Sequence, residues 1–118
     1  MRNKFNAKKV ELDGYVFASQ AEMKRYSDLK YLQMARDIKA LVVHPSYPLT
    51  VNGVTIGSIT LDFAYYDGGR KIAEDVKGTI TEAASLRLRL FKALNPDIEV
   101  RIHHKGQSAV LKQRKVAA

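Results

Sequence analysis

The sequence predicts a single α/β domain in which a mixed β-sheet lies between helices, in the order α-β-β-β-α-β. Three observations lead there. A Ser19-Gln20-Ala21-Glu22 capping box opens a stretch with apolar residues near helical spacing. Two runs rich in β-branched and aromatic residues, 59–66 and 71–76, flank Gly68-Gly69. A second helical stretch closes at Asn95-Pro96-Asp97 and gives way to alternating Ile98, Val100 and Ile102.

Each element has a local reason. Between Lys9 and Phe17, apolar Val10, Leu12, Tyr15 and Phe17 surround Asp13-Gly14, which suits a small hairpin or an extended arm with a turn. From Ser19 a helix should run to about Ala35. Met23, Tyr26, Leu29, Tyr31, Leu32 and Met34 would form its buried stripe, with Lys24, Arg25, Asp28 and Lys30 towards water. Residues 38–43 read as a buried strand stopped by His44-Pro45, since proline cannot extend a pairing ladder. Residues 48–57 read as an extended segment turning at Asn52-Gly53. Thr79 or Thr81 should cap the second helix, with Leu86, Leu90, Phe91 and Leu94 buried. Beyond the last strand, residues from Lys105 onward read as a loosely held tail.

Register places the chemistry. With Gly68-Gly69 as the loop, Asp67 faces Arg70, Asp62 faces Asp75 and Lys77 faces Thr60. Alternation then puts Thr60, Asp62, Ala64, Ala73, Asp75 and Lys77 on one face, and Leu61, Phe63, Tyr65, Ile72 and Val76 on the other, core, face. Two carboxylates opposite each other on neighbouring strands repel, with Cβ atoms roughly 5 Å apart. A hard divalent cation such as Mg²⁺ offsets that repulsion and prefers oxygen ligands. The tripeptide acid-x-Lys decides nothing alone, because it also occurs at Glu22, Asp28 and Asp37; only at Asp75 does it lie in a strand facing another aspartate.

Composition bounds the function classes. The chain has 118 residues, 46% apolar and 27% charged, which suits one globular domain. No cysteine means no disulfide framework and no thiolate metal site. Neither a membrane span nor a signal peptide is evident, so a cytoplasmic protein is expected. The formal charge is +8, and it is uneven. An N-terminal arm over about residues 1–9 holds Lys8 and Lys9. A C-terminal tail over about 105–118 holds Lys105, Lys112, Arg114 and Lys115, and residues 10–100 carry −1. Basic ends around a near-neutral body suit contact with a phosphate backbone, or simply solubility.

This order of elements, with Asp62 in one strand, Asp75-Val76-Lys77 in the next and Glu22 on the preceding helix, resembles the PD-(D/E)XK nuclease superfamily over nearly the whole chain. More narrowly, residues 9–17, 19–26, 61–66 and 74–78 resemble a family of small phage and prophage nucleases often labelled a domain of unknown function. The resemblance implies a restriction-endonuclease-like core and makes Asp62 and Asp75 metal ligands, Lys77 the motif lysine and Glu22 the helix-borne acid that completes the site. It also implies action inside a bacterial host. A proline usually precedes the first aspartate in that superfamily, whereas Leu61 does here.

The chemistry that these residues would fit is phosphodiester hydrolysis. Asp62 and Asp75, with the Val76 carbonyl and Glu22, would hold Mg²⁺, for which Mn²⁺ can substitute. Lys77 would position or deprotonate the attacking water, or stabilise developing charge. Glu22 has a competing role as the last residue of the capping box. Glu74, on the opposite face from Asp75, is expected in a salt bridge. His44, next to a proline, could face the cleft or be structural; His103 and His104 suit surface or phosphate-contacting roles. Arg87 could reach a phosphate near the site. The expected substrate is branched DNA, with Holliday junction resolution preferred because a compact chain suits recognition of DNA shape; symmetric cutting implies a homodimer. The alternative is a non-catalytic basic DNA-binding protein.

Overall fold

The computed structural model describes residues 8–76 and 81–112. A short antiparallel hairpin, β1 (Val10–Leu12) and β2 (Tyr15–Phe17), turns at Asp13-Gly14 and leads into helix α1 (Gln20–Met34). Strands β3 (Lys39–Val43), β4 (Ser46–Val51), β5 (Val54–Thr60), β6 (Phe63–Asp67) and β7 (Arg70–Val76) follow. Helix α2 (Glu82–Leu94) then crosses to β8 (Ile98–His104), and β9 (Gln107–Val110) closes the order. The main sheet runs β3-β6-β7-β8-β9. It is mixed, because β7 and β8, joined through α2, are parallel while the other pairs are antiparallel. The predicted α/β class, a mixed sheet flanked by two helices, is the fold observed.

Both helices start where the sequence places a cap. Ser19 Oγ accepts the Glu22 N–H at 3.1 Å, and Thr81 Oγ1 accepts the Ala84 N–H at 3.1 Å. The β6–β7 turn is the expected one: Asp67 pairs with Arg70, and Gly68 and Gly69 both have positive φ, 59° and 82°. A two-residue turn of that hand needs residues without a Cβ penalty.

Two cores form, one on each face of the sheet. Phe17, Tyr26, Leu29, Phe63, Tyr65 and Ile72 pack between α1 and the sheet. Leu61, Ala73, Leu88, Phe91 and Val100 pack on the α2 side, joined by Leu49 and Ile59 of the β4–β5 hairpin. The face expected to carry the chemistry is therefore covered over part of its length, where Ala64 and Ala73 are buried. Small alanines there let the sheet and its cover approach closely.

The expected strand over 59–66 is two strands. β5 pairs with β4, β6 pairs with β3, and Leu61-Asp62 lies between them. Thr60 consequently pairs with Ser46 while its expected partner Lys77 lies outside the described residues, and Leu61 joins the α2-side core instead of the face of Phe63 and Tyr65. The cause is the proline break at His44-Pro45 on the facing side of the ribbon. There the ladder survives only through Leu61 N–H to Pro45 C=O and His44 N–H to Asp62 C=O, each 2.9 Å. The stretch read as a buried strand is an edge strand, with Val42 exposed and a bulge between Lys39 and Val42.

The helix stripes also shift. On α1, Tyr31 and Met34 are exposed, while Glu22 and Arg25 turn inward to partners described below. On α2, Leu88 and Phe91 are buried and Leu86 is exposed. The tail read as loose contains β9, which turns back at Lys105-Gly106 to pair with β8.

Candidate metal centre

The site lies at the end of the sheet where the ribbon kinks and the N-terminal turn of α1 arrives. Phe63 pairs with Glu74, so one further step along the hairpin brings Asp62 level with Asp75. The Val76 N–H donates to Asp62 Oδ2 at 2.7 Å and fixes that carboxylate. Glu22, in the first turn of α1, is buried. Its Oε2 accepts the Ala18 N–H at 3.3 Å, so it does serve the helix start, though through Ala18 and not through Ser19. Its Oε1 is left free to meet His44 Nε2 at 2.8 Å.

Ligand atoms of Glu22, His44 and Asp62 all lie within 4.8 Å of one another. Asp75 is electrostatically tied to the same group. Burial first, then a hydrogen bond and negative charge from Asp62, and then the charge of Glu22, push Asp75 up to about 8. Burial likewise raises Glu22, helped by Asp62 and opposed by the hydrogen bond from His44. Two carboxyl groups thus converge with an imidazole, with the Asp75 carboxyl coupled to them; this is donor chemistry a divalent cation takes, and the crowding of the acids is what a cation relieves. Asp75 also lines a small cleft of about 100 Å³ with Thr60, Leu61, Ala84 and Arg87.

Of the residues read from sequence, Glu22, Asp62 and Asp75 come together. Val76 is beside them through its amide. Lys77, Arg114 and Lys115 lie outside the described residues. Lys8, Lys9, Lys105 and Lys112 are exposed. His103 and His104 sit on β8, where His103 pairs with Val76 and its Nδ1 lies within 2.8 Å of Ser108 Oγ. His44 is the residue that sequence reasoning left undecided. Its only signal was the following proline, which ends β3 and leaves His44 in a left-handed conformation, φ 56°, uncommon for a non-glycine residue. In that conformation its side chain meets Glu22 while its N–H binds the Asp62 carbonyl.

Glu74, one residue before Asp75, is wholly buried on the α1 side. Arg25 grips it with Nε to Oε2 at 2.6 Å and Nη2 to Oε1 at 2.8 Å, and the Tyr65 hydroxyl donates to Oε1 at 2.7 Å. Burial, then the Glu74 charge and hydrogen bond, push the Tyr65 hydroxyl up to about 12, so it remains a donor. The expected salt bridge is present, and its partner is the arginine that was expected in water.

A family model described as "Protein of unknown function (DUF1064)" matches residues 2–112. The chain belongs to the DUF1064 family. Its match spans β1 to β9 and so includes Glu22, His44, Asp62 and Asp75. No curated protein matches this DUF1064 chain. Among its described residues, no helix is long and apolar enough to cross a membrane.

Proposed function

We propose that this DUF1064 protein is a metal-dependent endodeoxyribonuclease with a restriction-endonuclease-like core, acting on branched DNA in phage recombination or DNA processing. The observation that carries the reading is the convergence of Glu22, Asp62 and His44 at one end of a mixed sheet, with Asp75 held beside them and pushed up by burial and by the charges of Asp62 and Glu22. The topology supports it too: a helix, an antiparallel hairpin with Asp75 in its second strand and Asp62 immediately before its first, and a helical crossover to a parallel strand follow the order of elements in the nuclease resemblance.

Asp62, Asp75 and Glu22 would hold Mg²⁺ or Mn²⁺, which when bound supplies Lewis-acid stabilisation of the phosphate and lowers the pKa of water. Asp62 is oriented by the Val76 amide, and Glu22 by the Ala18 amide and the helix start, so the acids are set before substrate arrives. Lys77, next in sequence after Val76, supplies the amine that positions the nucleophile or steadies developing charge. Arg87 and the basic ends, Lys8, Lys9, Lys105, Lys112, Arg114 and Lys115, contact the DNA backbone. Paired symmetric cuts require two copies of the chain, and the place of action is the host cytoplasm.

The test compares a four-way junction with linear duplex of equal sequence, each incubated with Mg²⁺, Mn²⁺ or EDTA. Symmetric nicks in the junction that need metal are expected. Binding without cutting in every metal would show a DNA-binding protein instead.

A further inference from the structure

We propose that His44 is itself a ligand of the metal, through Nε2, and that this nitrogen makes the centre prefer Mn²⁺ to Mg²⁺. The inference rests on the metal-dependent reading above and names the ion that site selects.

The geometry supports it in three ways. First, spacing: neighbouring donors on an octahedral ion with bonds of roughly 2.1 Å lie about 3.0 Å apart and opposite donors about 4.2 Å. His44 Nε2 and Glu22 Oε1 are 2.8 Å apart, and the set including Asp62 falls within 4.8 Å, so neighbouring positions are already formed and only a small contraction is needed. Second, delivery: the His44 N–H binds the Asp62 carbonyl at 2.9 Å, so the ribbon kink presents histidine and aspartate as a unit. Third, restraint: the ring lies 5.8 Å from that of wholly buried Phe17, and Glu22 is anchored at its other oxygen by the Ala18 amide. The imidazole is thus flanked on one side by the Phe17 ring and on the other by an anchored Glu22.

Donor type then sets the ion. Mg²⁺ takes oxygen and keeps much of its water, whereas imidazole suits first-row transition ions. A site of carboxylates from Glu22 and Asp62 and the His44 imidazole lies between these preferences, and Mn²⁺ accepts both donors. The competing account is that His44 only hydrogen-bonds Glu22, in which case no nitrogen touches the ion.

Pulsed electron paramagnetic resonance of the Mn²⁺-loaded full-length protein separates these accounts, together with calorimetric titration of Mn²⁺ and of Mg²⁺. We expect ¹⁴N coupling to bound Mn²⁺ in the wild type and in His103→Gln, and its loss in His44→Gln. We also expect Mn²⁺ affinity in His44→Gln to fall by at least about tenfold, the lower end of what even an outer-shell partner contributes, with a smaller fall for Mg²⁺. Mn²⁺ that binds the wild type, is lost in Asp62→Asn, and shows no ¹⁴N coupling would overturn the ligand role while leaving the nuclease reading intact. Failure of the wild type to bind either ion would overturn both. The wild-type spectrum decides the matter even if His44→Gln does not fold.

Discussion

Glu74 and Asp75 are consecutive residues of one strand, and the fold treats them in opposite ways. Glu74 points to the α1 side and meets a two-pronged guanidinium and a phenol, so its charge is paired within the protein. Asp75 points to the other side and meets Asp62 and, further off, Glu22, so its neighbours add to its charge. Burial of a paired carboxylate is a structural device, whereas burial of a carboxylate among carboxylates is tolerable only when the proton stays on or a cation arrives. One strand thus carries a finished ion pair and an unfinished one, and the unfinished one marks the site.

The sharpest break of that contrast is Asp75→Ala. If the acids hold the ion, cleavage falls by more than about 1000-fold, beyond the 10²–10³ that removal of a single stabilising donor costs. The metal-free fold should be no less stable, since a repelling group is gone. Cleavage retained in Asp75→Ala, measured on the four-way junction, would remove Asp75 from the site.

Arg25→Ala tests the other member. It leaves Glu74 as a buried carboxylate without its cation, an event that costs about 3–5 kcal/mol. Denaturant unfolding should show that loss, with calorimetric metal affinity in the surviving folded protein little changed. A stable Arg25→Ala protein would mean that Glu74 is not held as a charged partner.

Asp75 should also make the stability of the fold depend on pH. The folded protein keeps the Asp75 proton to about pH 8, whereas the unfolded chain releases it near the ordinary value of 3.8. Between those limits the native state binds more protons, so this carboxyl's contribution is full below about pH 4 and is lost as pH rises towards 8. Glu22, raised for the same reasons, acts in the same direction. Melting curves of metal-free protein should therefore decline across this window, and Mn²⁺ or Mg²⁺ should reduce the decline by favouring the charged carboxylates. A decline that metal leaves unaltered would separate the acids from any ion.

Much of this was legible from local signals. The capping box fixed the start of α1, Gly68-Gly69 fixed the hairpin, and that register brought Asp62 level with Asp75. What escaped were consequences of partners distant in sequence. Arg25 looks like a solvated helix cation until Glu74, 49 residues later, is known to face it. The covered face of Ala64 and Ala73 has ordinary alternation, and only the position of α2 shows that both faces are buried. His44 has a proline beside it and nothing else. Its encounter with Glu22 requires the kink that splits the ribbon at Leu61-Asp62, and local periodicity carries no sign of that kink.

Tyr65→Phe is the gentlest probe of the contrast. It deletes one hydroxyl donor to Glu74 Oε1 while Arg25 Nη2 remains on the same oxygen. Hydrogen bonds to charged groups contribute about 1.5–3 kcal/mol, and the surviving partner should hold the loss near the lower end, below that of Arg25→Ala. Because Tyr65 faces the α1 core and not the acids, Mn²⁺ affinity should stay within about twofold of wild type by calorimetry. A larger change would mean that Glu74 and Asp75 communicate along β7, and that the strand couples its finished pair to its unfinished one.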